Sequence, residues 1–144
     1  MLFRSENVFS PFIRSMQRIA VEPHELWFEE LDGLGCKEMF NKVFPFFHEP
    51  HLFYELSDEE QDMYCKYDTF IFNFGENFDS WAITSVFSGK ACKFLWLKNQ
   101  KIDNEILNNI QCFDVPYTDV QEVYRQFCKL IPNKYWPTSI KKLD

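Results

Sequence analysis

Three short stretches, Thr69 to Phe74, Asp79 to Ser88 and Cys92 to Lys98, alternate their side chains with a period of two, and helical periodicity lies on both sides of them. A chain that changes period in this way can bury its apolar faces only by packing helices on a sheet. In the first stretch the even-numbered residues Phe70, Phe72 and Phe74 share one face. In the second, Trp81, Ile83 and Phe87 oppose Ala82, Thr84 and Val86; in the third, Phe94 and Trp96 oppose Leu95 and Leu97. Ser88-Gly89-Lys90 is a tight-turn sequence between the last two. Three strands with brief connections predict an antiparallel meander around residues 69–98. The last strand is apolar on both faces, so helices should cover at least one side of the sheet.

On the N-terminal side, Ser10-Pro11 reads as a cap followed by proline at the first helical position. Phe12, Ile13, Met16, Ile19 and Ala20 then continue a helix over about 11–20. Pro23 opens either a short helix through Leu26, Trp27 and Leu31 that stops at Gly33, or a strand. A second helix spans about Cys36 to Phe44, with Met39, Phe40, Val43 and Phe44 on one side. Pro45 and Pro50 bracket an irregular aromatic segment, and His51 to Leu56 suits a short strand. Ser57-Asp58-Glu59-Glu60 matches a capping box, predicting a helix through about Lys66 with acids where the macrodipole favours them.

After the meander, Asp103 to Ile110 suits a helical turn and Gln111 to Val115 an extended segment. Thr118 and Gln121 fit a second capping box. Val120, Val123, Tyr124, Phe127, Leu130 and Ile131 then form an apolar stripe that Pro132 ends. The tail from Lys134 is a packed extension or a frayed basic end. The expected architecture is a single α+β domain over residues 1–144. Its central antiparallel sheet is packed by N-terminal helices and a C-terminal amphipathic helix.

At 144 residues, 17 of them Phe, the chain can bury a substantial core. No linker, repeat or low-complexity run interrupts it. No apolar run reaches membrane-spanning length and the first residues lack a signal-peptide core, so the expectation is a cytoplasmic protein. The five cysteines are widely spaced without a C-x-x-C, which reads as reduced thiols.

Charge is distributed unevenly. From Glu22 to Glu76 fourteen Asp and Glu stand against three Lys, a local charge of −11, while each flank carries +2. Such a field attracts a basic partner and repels nucleic acid and anionic membrane. The same stretch holds Trp27, Phe28, Phe53, Tyr54, Tyr64 and Tyr67, and aromatics are frequent anchors of protein interfaces. The alternative is a solvated face with no partner.

Catalytic patterns are weak. His48-Glu49-Pro50-His51 gathers two imidazoles and a carboxylate, but the proline prevents a helical face and no further ligands stand out. Cys92 and Cys128 have lysine or arginine nearby, yet His24, His48 and His51 lie far away in sequence. The acids crowd onto helix starts and turns rather than the apolar pockets that general acid–base work requires. Lys90, Lys93, Lys98 and Lys101 make a small basic strip that suits the solvent side of a hairpin. The expectation is no enzyme, no metal and no cofactor. A stoichiometric binding protein for a basic surface fits better. Its candidate contacts are Glu29, Glu30 and Asp32, then Asp58, Glu59, Glu60 and Asp62, with Tyr64 and Tyr67 as anchors.

The strand pair Tyr67 to Ser88, the strand Cys92 to Leu97, and Phe113 to Val120 leading into Val123-Tyr124-Arg125-Gln126-Phe127 give the C-terminal half a particular texture. In that texture, and in size and acidity, the chain resembles the small immunity proteins of bacterial contact-dependent growth inhibition and related polymorphic toxin systems. The resemblance implies a cytoplasmic protein that binds and blocks the cognate C-terminal toxin domain of a partner delivered by neighbouring cells, often a nuclease. With the acidic field, no direct nucleic-acid or membrane contact is expected. Two other classes stay open: a small enzyme or ligand-binding domain with an aromatic-lined pocket, and an acidic inhibitor that mimics nucleic acid.

Overall fold

The computed structural model describes residues 9–44, 53–70, 72, 74, 81–98 and 109–144. Four helices, α1 (Ser10–Val21), α2 (Cys36–Val43), α3 (Asp58–Tyr67) and α4 (Tyr117–Leu130), accompany a three-stranded antiparallel sheet. Its strands are β1 (Trp81–Phe87), β2 (Ala91–Lys98) and β3 (Gln111–Pro116), in the order β1-β2-β3. This is the expected α+β class.

The meander sits later in the chain than 69–98. Asp68–Phe70 is a 3₁₀ turn, and the third strand is β3. The alternation had a different cause. Phe70 and Phe72 are buried, and the carbonyl of Phe70 accepts a hydrogen bond from Thr84 Oγ1 at 2.7 Å. A side chain thus satisfies that carbonyl, the need a strand ladder would otherwise meet. The helical turn expected at 103–110 and the aromatic segment at 45–50 lie almost wholly outside the described residues. Of the proposed strand at 51–56, Phe53–Glu55 is a 3₁₀ turn.

The β1–β2 hairpin pairs Phe87 with Cys92 and Trp81 with Lys98. Gly89 has φ +89°, and Lys90, like every other non-glycine among the described residues, does not have positive φ. Glycine at the first central position supplies the backbone twist that a two-residue hairpin needs. One sheet face carries Thr84, Val86, Leu95 and Leu97, all buried. Val86, Leu95 and Leu97 join a single core with Ile19, Leu26, Leu31, Phe40, Val120 and Tyr124. On the opposite face Phe87 and Cys92 are buried near the hairpin, where Phe87 meets the Tyr117 ring at 5.3 Å. Tyr117 itself donates to the Ala20 carbonyl at 2.6 Å, fastening α4 to α1.

Helix ends differ in detail from the sequence expectation. Phe9 rather than Ser10 caps α1, and Pro116 rather than Thr118 precedes α4; neither cap makes a side-chain hydrogen bond. Chain direction decides this: β3 runs directly into α4, so the proline that ends the strand also sets the helical entry. The α4 stripe is only partly internal. Val120 and Tyr124 are buried, while Val123 and Leu130 are exposed. The tail packs. Tyr124 donates to the Lys141 carbonyl at 2.5 Å, Trp136 to the Ile131 carbonyl at 3.0 Å, and Leu143 rests on the core.

Neighbouring residues Thr84 and Ser85 are both 0% exposed, but among the described residues the Ser85 hydroxyl has no hydrogen-bond partner. Opposite outcomes are expected on removing the two hydroxyls. Thr84→Val strands the Phe70 carbonyl and should cost about 1–3 kcal/mol, whereas Ser85→Ala relieves an unmet donor and should be neutral or stabilising. Denaturant midpoints of the two variants check both signs.

Candidate protein-binding face

Helix α3 is fixed by its own start. Ser57 Oγ accepts the Glu60 amide at 3.2 Å, and Glu60 Oε2 accepts the Ser57 amide at 2.9 Å, completing the capping box. Asp58, Glu59 and Glu60 occupy the first turn, where the unpaired amides favour negative charge. Of the ten residues, Tyr67 is buried, Gln61 half-buried and the other eight exposed. A helix so little buried draws its stability from its cap and charges rather than from the core. Met63 and Tyr64 are exposed on it at 43% and 39%, and Tyr54 in the preceding turn at 76%.

The second acidic group lies on the 3₁₀ turn Glu29–Leu31 and its exit. Leu31 anchors this turn in the core and Gly33 (φ +78°) reverses the chain after it. Trp27 Nε1 donates to Asp32 Oδ1 at 2.8 Å, holding the exposed indole across the turn. Glu30 makes the connection to α3: its Oε1 accepts from Lys66 Nζ and from the Tyr67 hydroxyl, the latter at 3.0 Å. Lys66 also lies over the Phe28 ring, 4.5 Å from its centroid, and Phe28 meets Tyr67 edge-on at 5.5 Å.

Glu30 therefore joins the acidic turn to the C-terminal end of α3, while the acids of the second cluster begin at the opposite end of that helix. About 9–14 Å of helix separates that contact from the first-turn acids. Across residues 22–44 and 53–70 twelve acids face three lysines. Glu29, Asp32, Asp58, Glu59 and Asp62 are exposed. Glu30 and Glu60 are committed to internal bonds, and Tyr67 is 2% exposed, so it is a core residue rather than a surface anchor. Position 67 lies on the inner side of α3, three to four residues from Met63 and Tyr64 at that side's borders.

Lys66, hydrogen-bonding first, draws the Glu30 carboxyl down from 4.5 to about 2, while burial and then the hydrogen bond to Glu30 push the Tyr67 phenol up. A depressed carboxyl stabilises the fold above its ordinary range, and that contribution disappears as pH falls toward the lowered value. Glu30→Gln should therefore melt below the parent at pH 7. The gap should narrow as pH falls through 4.5 and close near 2, as thermal melts across that range would show. The pair is partly exposed, which keeps the effect small.

Other candidate groups are dispersed. His24 is exposed, edge-on to Phe87 at 5.6 Å; His48 and His51 lie outside the described residues. Among the described residues no three His, Cys, Asp or Glu side chains converge as metal ligands would. Burial pushes the Cys92 thiol up to about 11, the reverse of what a nucleophile needs. In the basic strip, Lys93 pairs across the strands with Asp114 at 3.0 Å, Lys98 lies 5.9 Å from the Trp81 ring centroid, and Lys101 is outside the described residues.

Two features had no signal in a single-sequence reading. Cys36 and Cys112, 76 positions apart, form a disulfide with Cα atoms 6.2 Å apart, overturning the expectation of five reduced thiols. Phe113, 49% exposed, stacks on Phe94 at 5.8 Å and meets Trp96 edge-on at 5.2 Å, making an aromatic row on the open part of the sheet. Only the β2–β3 register brings those rings together.

No protein-family model, curated protein or solved structure matches the chain. Among the described residues no helix is long and apolar enough to cross a membrane.

Proposed function

We propose that this protein is a stoichiometric inhibitor of the immunity type, and that α3 with the Glu29–Asp32 turn docks a basic toxin domain. One observation carries the reading: an almost wholly exposed helix, firmly capped, presents Asp58, Glu59 and Asp62 beside exposed Tyr54, Met63 and Tyr64. Apolar anchors among carboxylates are the composition that a desolvated contact with a cationic surface requires. A nuclease is the most natural target, since its active site must hold phosphate and carboxylates can stand in for phosphate charge. In this reading the protein acts without enzymatic activity, cofactor or nucleic-acid contact, in the cytoplasm of the cell it protects.

The acids gather on one helix and its adjoining turn, an arrangement that favours a single docking patch over two phosphate-like rows. A ligand-binding role has the sheet's aromatic row in its favour, but among the described residues of the sheet that row shares its face with few polar groups, Lys98 and Gln111 among them, to orient a small molecule. Co-expression tests the proposal. The tagged chain is produced with the C-terminal domain of the protein encoded immediately upstream, and both complex formation and survival are scored. A one-to-one complex that rescues growth from an otherwise lethal domain supports the inhibitor role. A lethal domain that kills regardless, with no complex recovered, rejects that domain as the target.

A further inference from the structure

We propose that Cys36 and Cys112 form a reversible staple set by the glutathione couple, rather than a permanent structural bond. The separation of their Cα atoms, 6.2 Å, falls within the range that a disulfide spans without moving the backbone. Both residues are half-buried rather than buried, which leaves part of each at the surface. Cys36 is the first residue of α2, directly after Gly35, and the positive end of a helix favours a thiolate there. Cys92, the 1% exposed thiol of β2, has neither property.

Both ends of the staple are also held by contacts that do not need the bond. Met39, Phe40 and Val43 bury α2 in the core, and β3 keeps its ladder with β2 from Ala91↔Pro116 to Trp96↔Gln111. The reduced protein therefore keeps its fold, and closing the bond adds restraint to it. That combination, a bond both accessible and dispensable, suits a cytoplasmic chain in which glutathione sets the thiol state.

Closure needs glutathione disulfide as oxidant. The Cys36 thiolate attacks one of its sulfurs, forming a mixed disulfide and displacing one glutathione thiolate. The Cys112 thiolate then attacks the Cys36 sulfur and displaces the second. Two protein thiols lose two electrons and two protons, and glutathione disulfide becomes two molecules of glutathione. The result ties α2, which follows the acidic turn Glu29–Asp32, to the edge strand β3 across a long loop. The proposal takes its cytoplasmic setting from the inhibitor reading but goes beyond it, and it holds or fails without any partner.

The experiment equilibrates the purified full chain with glutathione and glutathione disulfide in graded ratios. Acid quench, alkylation and peptide mass analysis then report the state of each cysteine. The expected result is that Cys36 and Cys112 pass together from alkylated to bridged, with the melting temperature rising on the order of 10 °C. Cys112→Ser should stop at one glutathione on Cys36. A bridge that persists in the native protein under excess reduced glutathione would overturn reversibility. Two thiols that stay alkylatable under glutathione disulfide would overturn the staple itself.

Discussion

Phe40→Ala should destabilise the protein by about 3–5 kcal/mol, a large part of the roughly 5–15 kcal/mol that holds such a domain together. Phe40 is 0% exposed on α2, stands 4.7 Å from the Phe44 ring, and belongs to the one core that sheet and helices share. Truncation removes the transfer energy of a ring and leaves a space that the neighbouring helices and sheet close only in part. Leu130→Ala is the matched contrast, because that side chain is 76% exposed despite its place in the apolar stripe of α4. It should change stability by less than about 0.5 kcal/mol. Urea unfolding of both, with unchanged m-values, reads the two effects; comparable losses would contradict the exposure of Leu130 on α4.

The second large effect concerns encounter rather than folding. Replacing Glu29 and Glu59 by Gln and Asp62 by Asn removes three exposed charges while sparing the Ser57–Glu60 cap and the Glu30–Lys66–Tyr67 junction. Glu60, although exposed, is a poor site for such a test because its carboxylate holds the start of the helix. With a cognate basic domain in hand, the triple variant should associate at least about tenfold more slowly at low salt. Its rate should also depend less steeply on ionic strength, while dissociation changes little. Stopped-flow association at several salt concentrations measures this. An unchanged salt slope would remove the acidic face from the encounter.

Local chemistry made much of this fold readable. The α3 capping box is realised atom for atom, because both partners lie within four residues. The spans of α1 and α2 and the hairpin turn at Gly89 follow for similar reasons. Non-local features were hidden. Alternation at Thr69–Phe74 gave the right buried face for Phe70 and Phe72, but only Thr84 decides that the Phe70 carbonyl needs no strand partner. Extended Gln111–Val115 was visible, yet its place as the third strand depends on pairing with β2. Likewise the acidic stretch identified Glu29 to Asp32 and Asp58 to Asp62 as groups. The link that holds the turn against α3 rests on Lys66, 36 positions from Glu30, which charge counting treats as a minor exception. Tyr67 carried an aromatic signal that suits an anchor and a core residue equally; packing against Phe28 and Phe70 makes it the latter.

The central claim is that α3 and the turn beside it form the docking face. Amide hydrogen exchange on the complex, compared with the free chain, tests that most directly. Slowed exchange over residues 53–67 and 29–32, with little change across β2 and β3, is the result expected. Protection centred instead on β3 and the Phe94–Trp96–Phe113 row, with α3 exchanging as freely as before, would contradict it.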